Sequence, residues 1–177
     1  MSERFPTKEE ALHLLRIAGC EENVIKHCEA VSKLAVEIAE ACRRRGLNVD
    51  VRLVEVGALL HDVGRSKTHG VHHAIIGAEI ARKLGLPEPI ISIIKRHVGG
   101  GISADEAERL GWPKDVYIPQ TIEEKIVAYA DKLIEGSKRV TIEETIEKFS
   151  RELPPPAVER VRRLHEEMVN LIGDPQC

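Results

Sequence analysis

Residues 51–65 read VRLVEVGALLHDVGR, and this stretch decides which fold class the sequence predicts. Its apolar residues fall on every side of a helix, a pattern typical of a central, buried helix. Gly64 ends that helix directly after His61 and Asp62. Two side chains of the kind that ligate metals therefore stand at the end of a helix in the expected core.

The rest of the sequence divides into helices at capping boxes, in which a Ser or Thr precedes a Glu by three residues. No segment alternates β-branched residues between hairpin turns, so we predict an all-α fold. At 177 residues the chain is expected to form a single domain over residues 1–177, with helices between residues 141 and 172 packing on the part before them. The capping boxes are Thr7 with Glu10, Ser103 with Glu106, Thr121 with Glu124, and Thr141 with Glu144.

The overall charge argues against a large anionic partner. A net charge of −3 and a pI near 6.3 give no bulk attraction for a nucleic acid polymer or an anionic membrane. No apolar run approaches the roughly 20 residues that cross a bilayer, and the segment from Met1 to Lys8 is too polar for a signal peptide. We therefore expect a cytoplasmic protein whose partner is a small molecule.

Several polar residues fall on or beside the apolar faces of their helices, where an unpaired charge is costly to bury. His27 shares a stripe with Val31 and Leu34, and Asp131 borders the face of Val127. Taken singly, such a histidine is more often a core imidazole bonded to a backbone carbonyl. Taken together, inward imidazoles and two carboxylates from separate helices favour a shared divalent cation. The residues placed in this way are His27, His73, His97 and Asp131, together with His61 and Asp62.

The order and spacing of His27, the adjacent His61 and Asp62, and Asp131 resemble those of the HD-domain superfamily of metal-dependent phosphohydrolases. The likeness covers about residues 22–137, and the string HDVGR that begins at His61 resembles the HDIG subgroup. This resemblance implies an HD-domain helical bundle with its metal site between the central helices.

Two further strings, HAIIGA at residues 73–78 and KRH at residues 95–97, resemble the auxiliary histidine motifs of two-metal members of that superfamily. Imidazole with carboxylate suits one or two divalent ions of Mn, Fe, Co, Ni or Zn, with Mg as a further candidate. The ligands implied by the resemblance are His27, His61, Asp62 and Asp131 for a first metal, and His73 and His97, with Asp62 bridging, for a second.

Residues near these ligands are candidates for the rest of the site. Arg65 follows Asp62 by three positions and is placed to donate two hydrogen bonds to a phosphate. Asp62 and Arg65 are the expected catalytic residues. Trp112 and Tyr117 are a candidate stacking face for a base, although such residues more often anchor a loop. The other expected substrate contacts are Arg96, Gly99 and Gly100, and the expected supports of the metal ligands are His69 and His72.

The leading functional hypothesis is hydrolysis of a phosphomonoester or phosphoanhydride in a small substrate, with a nucleotide favoured, by a metal-activated water. Two alternatives stay open: an HD-type di-iron oxygenase, which uses the same ligands, and a nucleotide-binding regulator without catalysis. Cyclic dinucleotide cleavage is disfavoured because the third histidine and the GYP motif of the signalling phosphodiesterases are not evident. The amphipathic helix that ends near residue 172 fits either the core or a homo-oligomer interface.

Overall fold

The computed structural model describes residues 4–173 of the chain, and helices dominate this range. The prediction of an all-α fold is confirmed. The helices are α1 (Lys8–Ala18), α2 (Glu22–Arg44), α3 (Val51–Leu60), α4 (His73–Lys83), α5 (Glu88–Lys95), α6 (Ala104–Arg109), α7 (Ile122–Lys132), α8 (Ile142–Glu152) and α9 (Pro155–Ile172). The other elements are a 3-10 turn (Val63–Ser66) after α3 and two short strands, β1 (Ile134–Glu135) and β2 (Lys138–Arg139), after α7.

Helix α3 lies at the centre of the molecule, as its apolar sequence predicted. It contacts α1, α2, α5 and α7, and the side chains of Ala58, Leu59 and Leu60 are fully buried. Burying each leucine contributes about 2 kcal/mol to stability. Because α3 is enclosed by its neighbours, His61 and Asp62 at its C-terminal end are buried as well, with exposures of 0% and 3%.

The long helix α2 is amphipathic and carries His27 at the edge of its inner face. Val31 and Leu34 are buried on that face, whereas Lys33 and Glu37 on the other side are exposed. Burial of the apolar stripe fixes the rotation of the helix about its axis and thereby directs His27 inward. None of the helices within residues 4–173 is long and apolar enough to cross a membrane.

Three of the four predicted capping boxes form in full, at Thr7, Ser103 and Thr141. The fourth is only half formed. The Thr121 hydroxyl accepts from the amide of Glu124 at 3.2 Å, but the Glu124 carboxylate does not return to the Thr121 amide. The charged guanidinium of Arg96 holds that carboxylate instead, at 2.7 Å, because a charged partner binds a carboxylate more strongly than a neutral amide does.

The strands β1 and β2 form a small antiparallel hairpin that the sequence analysis did not predict. Ile134 pairs with Arg139 and Glu135 with Lys138. Gly136 opens the two-residue turn at φ +61°, a left-handed conformation that favours glycine. A glycine followed by serine is a recognised turn signal, but strands of two residues are too short to show alternation. The hairpin leaves the fold class unchanged and presents the Gly136 carbonyl to α2.

The 3-10 turn after α3 packs directly on the backbone of α4. A Cβ atom at Gly64 would lie 1.8 Å from the carbonyl oxygen of His73 and 2.7 Å from the amide nitrogen of Gly77. Real Cβ atoms do not approach a backbone this closely, so only glycine fits. This contact fixes where Asp62 and Arg65, on either side of Gly64, stand relative to His73.

Gly64→Ala is therefore expected to lower the free energy of unfolding by about 3 kcal/mol or more, because the rigid backbone of α4 would have to move. Chemical denaturation followed by circular dichroism measures this change. The matched control is Gly70→Ala, because a Cβ atom there would meet Thr68 Oγ1 at an ordinary 3.6 Å. Equal stability of the two variants would contradict the close packing.

Candidate metal centre

Two groups of side chains meet at the end of α3, and Asp62 belongs to both. In each group, atoms that can ligate a metal lie within 4.8 Å of one another. The first group is formed by residues at the end of α3 and on α2 and α7. The second is formed by residues at the end of α3, on α4 and just after α5. The structure thus brings together all the residues that the sequence analysis predicted as ligands. The groups are His27, His61, Asp62 and Asp131, and Asp62, His73 and His97.

Asp62 stands between the two groups and turns one carboxylate oxygen toward each. Its Oδ2 is 3.5 Å from Nε2 of both His27 and His61. Its Oδ1 is 3.2 Å from Nε2 of both His73 and His97. A carboxylate divided in this way has the orientation that it needs to bridge two ions.

The four histidines share one orientation, with Nδ1 against a backbone carbonyl oxygen and Nε2 toward the centre. A hydrogen on Nδ1 leaves the lone pair of Nε2 for a metal in the neutral ring. In three cases the carbonyl belongs to the residue three positions earlier, whereas His27 reaches the turn of the hairpin. The pairs are His27 with Gly136 (2.7 Å), His61 with Ala58 (2.5 Å), His73 with Gly70 (2.8 Å) and His97 with Ile94 (2.6 Å).

Two buried atoms of this cluster have no hydrogen-bond partner among the described residues, namely Nε2 of His61 and Oδ1 of Asp62. Leaving a buried polar atom unsatisfied costs roughly 1–3 kcal/mol. The His61 atom faces the first group, and the Asp62 atom faces the second. Mn, Fe, Co, Ni and Zn all accept imidazole nitrogen and carboxylate oxygen as ligands. The donor set of each group therefore fits a divalent cation.

The charges of the cluster shift the pKa values of its members. Burial would raise the pKa of Asp62, but the neighbouring His61 holds it well below its usual 3.8. Burial likewise opposes ionisation of Asp131, yet Lys132 and His27 keep its pKa well below 3.8. Burial would lower the pKa of His61, but the charge of Asp62 keeps it well above 6.5. Both carboxylates are therefore held in the ionised form, and the raised pKa of His61 favours its protonated form when no ion is bound.

Lys132 also belongs to the centre, although the sequence analysis did not single it out. It is only 5% exposed, and its Nζ donates to Oδ2 of Asp131 at 2.7 Å and to the carbonyl oxygen of His97 at 2.9 Å. Because Lys132 holds Oδ2, Asp131 turns only Oδ1 to the histidines, 2.9 Å from Nε2 of His27. The available signal was its position four residues after Ala128 on the inward face of α7.

Arg65 lines a cavity of about 320 Å³ above the cluster. Its Nε is 3.1 Å from Oδ2 of Asp62, and its Nη1 donates to the carbonyl oxygen of His69 at 3.0 Å. These contacts engage Nε and one N–H of Nη1, so the second N–H of Nη1 and both of Nη2 stay available for the expected two hydrogen bonds to a phosphate. His69 supports Arg65 through its backbone and does not reach a metal ligand with its ring.

Two other expected site residues are engaged elsewhere. Arg96 donates from Nη1 to Glu124 at 2.7 Å and from Nε to the carbonyl oxygen of Val116 at 3.1 Å. It does not line the cavity over the cluster, so its assignment as a substrate contact is corrected to a tie between this loop and α7. The ring of His72 accepts from Trp112 Nε1 at 2.8 Å and thus supports a loop rather than a metal ligand.

The expected glycine and aromatic residues of the neighbouring loops also differ in whether they line the cavity over the cluster. Gly99 lines the cavity at φ +56°. Gly100 does not line this cavity but a larger neighbouring cleft, and it backs onto α9, where a Cβ atom would lie 2.6 Å from the Arg160 backbone. Trp112 and Tyr117 pack edge to face at 4.9 Å and are 7% and 3% exposed. They anchor their loop within a second apolar cluster and present no face to a ligand.

Comparison with known proteins identifies the class to which this fold and this cluster belong. The model of the HD domain family matches residues 24–136. The chain belongs to the HD domain family. It is 49% identical over 166 residues to an uncharacterized protein of Methanocaldococcus jannaschii, and the match covers 93% of this chain and 98% of that protein.

Two other similar proteins carry functional names. The chain is 40% identical over 169 residues to a tRNA (cytidine(56)-2'-O)-methyltransferase of Thermoplasma volcanium, with 96% of this chain but only 48% of that protein covered. The HD domain of the L. monocytogenes phosphodiesterase PgpH has a TM-score of 0.54 at 20% identity, covering 90% of this chain and 97% of that one. At this identity the likeness concerns the fold.

The pKa values predict that binding of a divalent ion to the first group at pH 7 releases about one proton, because His61 must lose its proton to become a ligand. Affinity for this group therefore rises as the pH rises toward the His61 pKa. His97 adds no such release at pH 7, because burial lowers its pKa to about 4. Titration calorimetry with Mn²⁺ in buffers of different ionisation enthalpy measures the protons released. A release that disappears in His97→Gln and persists in His61→Gln would contradict this assignment.

Lys132→Met is expected to lower the free energy of unfolding of the metal-free protein by about 3 kcal/mol or more, because it leaves a carboxylate oxygen and a carbonyl unpaired in the interior. Thermal and urea unfolding measure the effect. The matched control is Lys148→Met, whose side chain is 49% exposed and lies 3.3 Å from Glu135. A surface pair of this kind contributes about 1 kcal/mol at most. Similar losses in both variants would show that the Lys132 contacts have no special weight.

Proposed function

We propose that the protein is a metal-dependent phosphohydrolase that acts on a small phosphorylated substrate, with a nucleotide as the favoured class. One observation carries this proposal: at the floor of an open cavity, Asp62 turns one carboxylate oxygen to each of two sets of histidines. Phosphoryl transfer is the chemistry for which paired divalent ions with a shared carboxylate are best suited. Membership of the HD domain family supports the same reaction class.

The residues that would hold a first ion are His27, His61, Asp62 and Asp131, and those for a second are Asp62, His73 and His97. Ions bound there would supply a Lewis acid for a phosphoryl oxygen and a water of lowered pKa. The task of the protein residues is to keep the carboxylates ionised, the Nε2 atoms directed inward and the cluster enclosed on its inner side.

The remaining charges of the site favour an anion. Two carboxylates balance one divalent ion, and Lys132 adds a fixed positive charge next to Asp131. The guanidinium of Arg65, whose Nε and Nη1 are already bound, is pre-positioned by Asp62 and His69, so little side-chain freedom is lost when Nη2 meets a phosphate oxygen. A phosphate ester is therefore attracted to the cavity, although the chain as a whole is acidic.

A nucleotide is favoured over other phosphate esters by the ligand of a protein with a similar fold. The similar PgpH HD domain has been solved in complex with cyclic-di-AMP. A second candidate substrate is a phosphate group in RNA, favoured by the name of the Thermoplasma volcanium relative, of which this chain spans about half the length. The net charge of −3 speaks against a long RNA as the substrate.

The reaction class is tested by phosphate release from a panel of nucleotides, sugar phosphates and short 5′- and 3′-phosphorylated RNA with Mn, Co, Ni, Mg or Fe. Asp62→Asn is expected to lose both retained metal and turnover, because the bridging carboxylate serves both groups. The matched control is His13→Asn, a solvent-exposed histidine of α1, which should keep both properties. Turnover by Asp62→Asn at the parent rate would refute the mechanism. Oxygen uptake with bound iron, without phosphate release, would favour the oxygenase.

A further inference from the structure

A second and larger cleft adjoins the cavity above the metal centre. It has a volume of about 1010 Å³ and runs between the loop after the 3-10 turn, the start of α6 and the corner of α8 and α9. Five residues line both spaces, so the two lie side by side. The shared residues are Arg65, His73, Val98, Gly99 and Phe149.

Phe149, on α8, is the aromatic residue at this junction, and the sequence analysis did not single it out. It is half-buried, because one side of its ring packs on the main core. The aromatic residues that the sequence did suggest, Trp112 and Tyr117, lie behind the opposite wall. The ring available to a ligand at the metal centre is therefore Phe149.

The two walls of the cleft are largely apolar. Val71, Ile102 and Leu110 form one wall as the outer side of the second apolar cluster. Phe149 and Leu153 stand on the other, and Leu153 is 37% exposed. A cleft with these walls suits a flat, weakly polar group that enters between them.

The charges of the cleft are balanced, in contrast to those of the metal centre. Arg160 lies 2.6 Å from Glu106, so this pair is already neutral. Of the other charged lining residues near the cleft, Arg109 is positive whereas Asp105 and Glu152 are negative, so the walls carry no excess of positive charge. A chain of further phosphates would find no counter-charge there, whereas an uncharged group would lose little.

We propose that this cleft binds the nucleoside half of a nucleoside monophosphate, with the base against Phe149 and the single phosphate directed to Asp62 and Arg65. This assignment rests on the proposed function for the position of the phosphate. It makes Phe149 a specificity-determining residue, and it disfavours nucleotides with long phosphate chains.

The test compares the parent with Phe149→Ala and Phe149→Tyr, both loaded with Mn²⁺. Loss of the ring is expected to raise KM for adenosine 5′-monophosphate about tenfold, as for a lost base–aromatic contact, with kcat little changed. Tyrosine keeps the ring and should keep KM within about twofold. Hydrolysis of glycerol 2-phosphate, which has no base, should be the same in all three proteins. Thermal unfolding checks that each variant is folded.

Binding measurements separate this proposal from the proposed function. Adenosine without phosphate should compete with the monophosphate in the parent and about tenfold more weakly in Phe149→Ala. If adenosine binds in this way but no substrate releases phosphate, the proposed function fails and the cleft assignment stands. If phosphate is released but Phe149→Ala affects adenosine monophosphate and glycerol phosphate equally, the cleft assignment is overturned. Adenosine that fails to compete in the parent also overturns it.

Discussion

The rest of the structure depends on the burial of Asp62 in an ionised state. Its exposure is 3%, and an isolated carboxylate in such a place would be strongly destabilising. Imidazoles from α2, α4 and the ends of α3 and α5 surround it and make the burial tolerable. To provide them, three separate segments converge on the helix terminus that the apolar burial of α3 places at the centre. The packing of the core and the charge balance of Asp62 thus depend on the same arrangement of helices.

The ligands could be predicted from the sequence because the signal for them is local. His27 falls on a helical stripe, and His61 with Asp62 ends an apolar helix, so periodicity alone directs them inward. Residues with a long-range role gave no such signal. The partner of Arg96 is Glu124, 28 positions later, and a sequence pattern does not show that this carboxylate leaves its own helix cap. The same holds for Phe149, whose position depends on how α8 and α9 meet.

The hairpin was missed for a different reason: the sequence contains a turn signal, but that signal is too weak to predict strands. Gly136 and Ser137 form a two-residue turn, yet the strands on either side have two residues each. Such strands contribute little stability of their own, and the packing of α2 and α7 on β1 holds them in place. An all-α interpretation is correct for the fold and still omits the backbone group that orients a predicted ligand.

The four carbonyl oxygens that orient the histidines differ in how far they lie along the chain. For His61, His73 and His97 the carbonyl is three residues away, whereas for His27 it is 109 residues away. Three imidazoles are therefore directed by contacts within their own turns. The fourth is directed by the hairpin turn at Gly136. The group with His73 and His97 takes its ligands from one stretch of sequence, residues 62–97, whereas the group with His27 joins segments 104 positions apart and so contributes more to the contact order of the fold.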